Sequence, residues 1–225
     1  MLKTDLLVGA IGWNNDLWQN GFYPEELPQD WRLGYYSNHL RAVLVPAEIW
    51  RDPDTDAEQW LDDIYPEFRM VLTWDPGEAD PMESVTEFLR QSSPVEANVD
   101  AYLVVLDRPA DNSMERAIRR LSGHRPVSLV GRNYTAPDIT PGLSEIPGIG
   151  QCWLPDCQDK PADRGRFLVA LSGESNAKAI RGIIEEIDRW PDTVTGASGA
   201  ALFFTGESGA EVAQQARTIA ELMGV

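Results

Sequence analysis

Short apolar runs alternate with stretches whose apolar residues recur every three or four positions, and this alternation organises nearly the whole chain. Residues 6–12, LLVGAIG, are a compact apolar run ending in glycine, and residues 29–40, QDWRLGYYSNHL, follow with helical spacing. AVLVPAEIW (42–50) reads as a second strand, and DAEQWLDDIY (56–65) as an amphipathic helix with Trp60, Leu61 and Ile64 on one face. FRMVLTW (68–74) precedes PMESVTEFLRQS (81–92), whose Pro81 falls in the first helical turn, where its missing N–H costs nothing. AYLVVLD (101–107) is the most uniformly apolar strand, and NSMERAIRRLSG (112–123) opens on a capping residue and closes on glycine. PVSLVGR (126–132) is the fifth strand.

Regularity lapses over residues 133–148, NYTAPDITPGLSEIPG, where proline and turn formers leave no good helix. GIGQCWL (148–154) follows as a sixth strand, then a polar loop, RFLVALSG (166–173) and the helix NAKAIRGIIEEIDRW (176–190). GAALFFTG (199–206) and GAEVAQQARTIAELMG (209–224) end the chain. Apolar strands separated by helices predict a parallel sheet in an α/β protein. Two architectures fit: a TIM-like barrel with an irregular fifth βα unit, or an open doubly wound sheet. With no internal repeat or linker, residues 1–225 are expected to form a single domain.

A chain of 225 residues buries roughly three quarters of its unfolded surface, so it needs no disulfide or metal to fold. No run approaches the ~18 apolar residues of a membrane helix, and the first residues lack signal-peptide character, so a cytoplasmic protein is expected. The charge, 19 − 36 = −17, disfavours nucleic acid and anionic membrane surfaces as partners, since both need Lys and Arg against phosphates. Cys152 and Cys157 form one CxxxxC pair without a second set, and His39 and His124 are distant, so no metal site is expected. No Walker lysine and no dinucleotide fingerprint points to a cofactor. TGESGAE (205–211) follows the last strand like a phosphate-binding turn, but Glu207 and Glu211 would repel an anion there. SGESN (172–176) lacks the second glycine of a nucleophile elbow.

The opening stretch GWNNDLWQNGFYPEELPQDWRLGYYSNHLRAVLV resembles the N-terminal signature of the YecE-like family, domain of unknown function seventy-two. Gly12, Trp13, Trp18, Phe22, Tyr23, Pro24, Leu27, Pro28, Leu33, Tyr35 and Tyr36 match its GxSGWxYxxWxGxFYPxxLP and Leu-x-YY pattern in order. The C-terminal segment GAALFFTGESGAEVAQQARTIAELMG looks like the family's final strand and helix. The resemblance implies a TIM-like barrel and no particular reaction. Charged and amide residues of the family's strands are replaced here: Leu44 and Pro46 stand at a Glu and an Asn, Thr73 at a Lys, and Leu106 at a Gln. Leu129 falls near a Glu, Gly131 or Arg132 at an Arg, Ala170 at an Arg, Ser172 at a His, and Thr205 and Gly206 near an Asn. Buried unpaired charge costs several kcal/mol, so such a network persists only where it serves a site. Its loss implies a degenerate polar pocket.

Chemistry in a TIM-like barrel sits at the C-terminal ends of the strands. The sequence places there Trp13, Asn14 and Asn15; Glu48 and Trp50; Trp74 and Asp75; Asp107 and Arg108; Arg132, Asn133 and Tyr134; Trp153 and Asp156; Glu174; and Thr205 and Glu207. The candidate catalytic residues are Asp107, Glu174 and Glu48, since paired carboxylates serve as acid and base in glycoside hydrolysis. Trp13, Asn14, Trp18, Trp50, Trp74, Arg132 and Trp153 are candidates for holding a small-molecule ligand, tryptophan faces being platforms for stacking. Packing across the barrel mouth is the other role that suits these tryptophans. Three functions remain open: a non-catalytic binding or interaction protein that has lost its polar pocket; a hydrolase acting on a carbohydrate or phosphorylated substrate; and an acidic surface that engages a partner without any pocket.

Overall fold

The computed structural model describes residues 6–52, 54–132, 135, 141–146 and 148–225. Strands β1 (Leu6–Ile11), β2 (Ala42–Val45), β3 (Arg69–Trp74), β4 (Val99–Leu106), β5 (Val127–Gly131), β6 (Ile149–Gln151), β7 (Phe167–Ser172) and β8 (Gly199–Phe204) lie in the order β6-β5-β4-β3-β2-β1-β8-β7, and every pairing is parallel. Beyond Gln151 the chain carries the ladder onward. Cys152 N–H donates to Leu129 O at 2.8 Å, Trp153 N–H to Val169 O at 2.9 Å, and Leu171 N–H to Trp153 O at 3.0 Å. This short bridge joins the β6 edge to β7, so the sheet curls into a nearly closed TIM-like barrel.

Helices α1 (Arg32–His39), α2 (Ala47–Arg51), α3 (Trp60–Asp63), α4 (Pro81–Ser92), α5 (Asn112–Ser122), α6 (Pro141–Ser144), α7 (Ala177–Arg189) and α8 (Gly209–Met223) connect the strands. Asp80 caps α4 and Asp111, rather than Asn112, caps α5, each carboxylate accepting two backbone N–H groups of its first turn. Strand residues then divide by face. Met70, Leu72, Trp74, Tyr102, Val104, Leu129, Trp153 and Ala170 pack with Val85, Phe88, Met114, Ile118 and Ile184 between sheet and helices. Leu44, Val71, Leu103, Val130, Cys152, Leu154, Phe167, Val169, Leu171 and Phe203 form a second cluster, free of helix residues, inside the barrel.

Three elements differ from the sequence pattern. The run 42–50 is not one strand: β2 stops at Val45, and Pro46, at φ −70°, opens α2. A proline has no N–H for a neighbouring strand, and its φ suits a helix start. The amphipathic helix expected over 56–65 contracts to α3, which has no side-chain cap, and Leu61 faces solvent at 40% exposure while Trp60 and Ile64 pack on the core. Within 133–148 a four-residue helix, α6, appears where none was expected.

Candidate functional site

Following the inward-facing positions one step past each strand leads to the mouth at the C-terminal end. The lumen residues Ile11, Leu44, Val105, Val130 and Phe203 are succeeded two positions on by Trp13, Pro46, Asp107, Arg132 and Thr205. Thr73, 5% exposed on β3, is followed by Asp75. Arg132 brings two of these carboxylates together: its Nη2 lies 3.4 Å from Asp107 Oδ2 and 3.7 Å from Asp75 Oδ1. Arg51, from α2, approaches Asp75 Oδ2 at 2.9 Å, and Arg108 approaches Asp107 at 3.8 Å. Asp75 also accepts the Gly77 N–H at 2.9 Å. Three guanidinium groups therefore meet two carboxylates, and the carboxylates straddle a cation. The pairs with Asp107 are largely exposed, an arrangement worth about 0–1 kcal/mol.

The other candidate carboxylates lie elsewhere. Glu174 turns toward its own helix: its Oε1 accepts the N–H groups of Ser175 at 2.8 Å and Asn176 at 2.7 Å, at the entry to α7. Beside it Asp156 accepts the Ser172 hydroxyl at 2.7 Å and the Gly173 N–H at 2.7 Å. Glu48 is exposed in the first turn of α2. Among the described residues no contact joins Asp107 to Glu174 or to Glu48. Asn133 and Tyr134 lie outside the described residues.

The tryptophans are mostly interior. Trp74 and Trp153, each 2% exposed, belong to the layer between sheet and helices, and their indole N–H groups are donated to Ser84 Oγ at 3.2 Å and Gln158 O at 3.1 Å. Trp18 is 2% exposed and stacks on Tyr36 at 6.3 Å between ring centroids. Trp50 packs against Trp60 at 5.4 Å and Phe88 at 5.6 Å. Half-buried Trp13 meets the Trp60 ring edge-on at 4.9 Å. Among the described residues the indole N–H groups of Trp18 and Trp50 have no hydrogen-bond partner.

Asn14 serves a cation to which the sequence reading gave no role. Arg32, 5% exposed at the start of α1, donates to Asn14 Oδ1 at 2.8 Å, Asp16 Oδ1 at 2.8 Å and Gln19 Oε1 at 2.8 Å. Its guanidinium also lies 5.4 Å from the centre of the Tyr23 ring. Burial holds the Tyr23 hydroxyl well above the usual phenol range, against the opposing pull of Arg32. The signal for this anchor was a lone arginine following a loop that holds Asn14, Asp16 and Gln19 within six positions. Asn15 caps the following 3-10 turn by accepting the Leu17 N–H at 3.0 Å. Asn14 thus helps fasten the first loop to α1, and Asn15 holds a turn within that loop.

The positions assigned from the family resemblance separate by face. Leu44 lies in the lumen, while Leu106, Leu129 and Ala170 lie on the helix side, and the adjacent lumen residues are Val105, Val130 and Leu171. The lumen is apolar at these positions under either register. The two thiols, buried Cys152 in the lumen wall and exposed Cys157, are free. Among the described residues no three His, Cys, Asp or Glu side chains are placed to hold a metal ion, and no helix is long and apolar enough to cross a membrane.

No curated protein matches the chain. Among solved structures it resembles a DUF72 family protein from Enterococcus faecalis V583, with a TM-score of 0.64 and 14% identity over 98% of this chain and 96% of that one, a likeness of fold. Residues 7–225 match the family described as protein of unknown function DUF72, and with the fold and the N-terminal signature in agreement, the chain belongs to that family, the YecE-like proteins.

Proposed function

We propose that this chain is a non-catalytic member of its family, a barrel that works by binding and has exchanged a polar lumen site for apolar packing. The observation that carries the reading is the lumen itself. Leu44, Leu103, Val130, Cys152, Leu171 and Phe203 pack together there; the buried polar residues on this face are Thr73 and Ser128, two neutral hydroxyls, and Ser128 donates its own to Phe167 O at 3.1 Å. A reaction needs polar groups converging on one concave point. Here Asp75 and Asp107 are engaged with guanidinium groups, Asp156 with the Ser172 hydroxyl and the Gly173 N–H, and Glu174 with backbone N–H groups of its own turn. The aromatic residues of the first loop serve as scaffold in this reading.

The test is a turnover assay of the purified chain on chromogenic glycosides and phosphate esters, beside Asp107→Asn and Glu174→Gln. The expected result is no turnover that either substitution abolishes. Hydrolysis lost in one variant at an unchanged melting temperature would sink the proposal and establish the hydrolase alternative.

A further inference from the structure

Two adjoining cavities open at the end of the barrel opposite the mouth. The larger, about 1110 Å³, lies beneath the start of β1, and the smaller, about 430 Å³, shares Arg69, Asp100, Phe167 and Ser198 with it as a common wall. Phe167 is 5% exposed, packs into the lumen cluster and lies over Gly199, its partner on β8, where a Cβ would sit 2.5 Å from the ring. The Phe167 ring thus stands between the cavities and the apolar lumen.

The charge here runs against that of the chain. The walls gather Arg41, Arg69, Arg125, Arg166 and Arg217 against Glu67, Asp100 and Glu221, in a protein of net charge −17. Three of the five guanidinium groups are occupied. Arg69 forms a two-point pair with Asp100 at 2.9 and 2.5 Å. Arg125 donates to Val99 O and Glu96 O, both at 2.8 Å, and lies 3.6 Å from the Glu96 carboxylate. Arg217 pairs with Glu221 at 2.9 Å and donates to His39 O at 2.8 Å. The guanidinium groups of Arg41, in the larger cavity, and Arg166, in the smaller, have no partner among the described residues, although carboxylates outnumber cations almost two to one along the chain.

A guanidinium presents a planar fork of donors that matches a carboxylate or a phosphate. The larger cavity reaches the size of small-molecule sites, about 300–1,000 Å³, and Phe68 and Phe167 supply apolar wall. We propose that this face binds a small organic oxyanion, a phosphate or carboxylate head on an apolar body, with Arg41 and Arg166 as its cationic ligands. The site is independent of whether the mouth is catalytic.

Isothermal titration calorimetry of the full chain at low ionic strength tests it, with phenyl phosphate and benzoate as the two probes. Saturable binding of one probe is expected, and which one binds identifies the head group. Arg41→Gln or Arg166→Gln should weaken that binding roughly tenfold or more, the scale of a lost hydrogen bond to a charged group. Arg132→Gln, at the opposite end, should leave it unchanged. Both cavity arginines are exposed, and their guanidinium groups bond to nothing described, so their variants should keep the wild-type melting temperature; Arg41→Lys supplies a second variant if Arg41→Gln folds poorly. Absence of saturable binding by either probe overturns the proposal. So does affinity that survives the double Gln variant, or that is lost in Arg132→Gln.

Discussion

The hydroxyl of Tyr36 joins two strands that approach too closely for an ordinary side chain between them. It accepts the Ala10 N–H at 2.7 Å and donates to Ala42 O at 2.9 Å, and the residue is fully buried. Gly9 lies alongside, and a Cβ there would sit 1.9 Å from Ala42 O and 3.2 Å from the Tyr36 hydroxyl. Tyr36→Phe leaves a donor and an acceptor unpaired away from water, at a cost of about 1–3 kcal/mol. Urea unfolding should show a lower midpoint at an unchanged slope; an unmoved midpoint would mean that the strands repair the loss between themselves. Gly9→Ala should cost more, because the atom in its way is backbone and cannot rotate aside. The twin tyrosines were visible in the sequence as part of a family signature. Their task was not, because the partner of a hydroxyl is chosen by contacts 26 residues away.

Helix α7 was legible throughout. Ile180, Ile183, Ile184 and Ile187 repeat at helical spacing and are buried, and Asn176 caps the helix by accepting the Lys178 and Ala179 N–H groups at 3.0 and 3.3 Å. Asn176→Ala removes that acceptor and should lower stability by about 1 kcal/mol. Asn176→Asp should preserve it, and denaturant midpoints of the two variants separate the cap from any other effect at the position. Strands were legible as strands but not in their facing. A parallel strand buried on both sides loses the apolar–polar alternation that tells inside from outside. Leu106, Leu129 and Ala170 therefore looked like lumen positions until the sheet placed Val105, Val130 and Leu171 there instead. The same ambiguity put Trp74 and Trp153 on a reading of the rim, although both face the helices. Pro46 was the one local mark in the run 42–50, and its effect, ending β2 to begin α2, was hidden by the apolar residues on either side. Of the candidate site, the Asp107–Arg132 pair needed only adjacent strand ends to be found, whereas Arg51 reaches the same cluster from α2, an element the sequence reading did not contain.

Four protons held in the interior make the fold sensitive to alkali. Burial pushes the Tyr102 hydroxyl up to about 12, against the pull of Arg125, and moves the hydroxyls of Tyr23 and Tyr36 and the thiol of Cys152 up further. The unfolded chain releases the same protons near the ordinary values of 10.0 for tyrosine and 9.0 for cysteine. Between the two values the folded state binds more protons than the unfolded, so stability falls as pH rises, by up to about 1.4 kcal/mol per pH unit for each group. The contribution is whole below pH 9 and is lost progressively above it. Self-repulsion acts in the same direction, because a chain at −17 gains further negative charge as phenols and thiols titrate. Salt separates the two causes: repulsion between surface charges is screened over about 10 Å at 0.1 M and about 3 Å at 1 M, whereas a buried hydroxyl is not reached. Denaturant midpoints from pH 8 to 12 at low and high salt should bend downward near pH 9–10, with salt lifting the whole curve but leaving the bend. Tyr102→Phe should make the descent shallower. A curve that salt flattens completely would assign alkaline unfolding to the acidic surface and deny the packed interior its part.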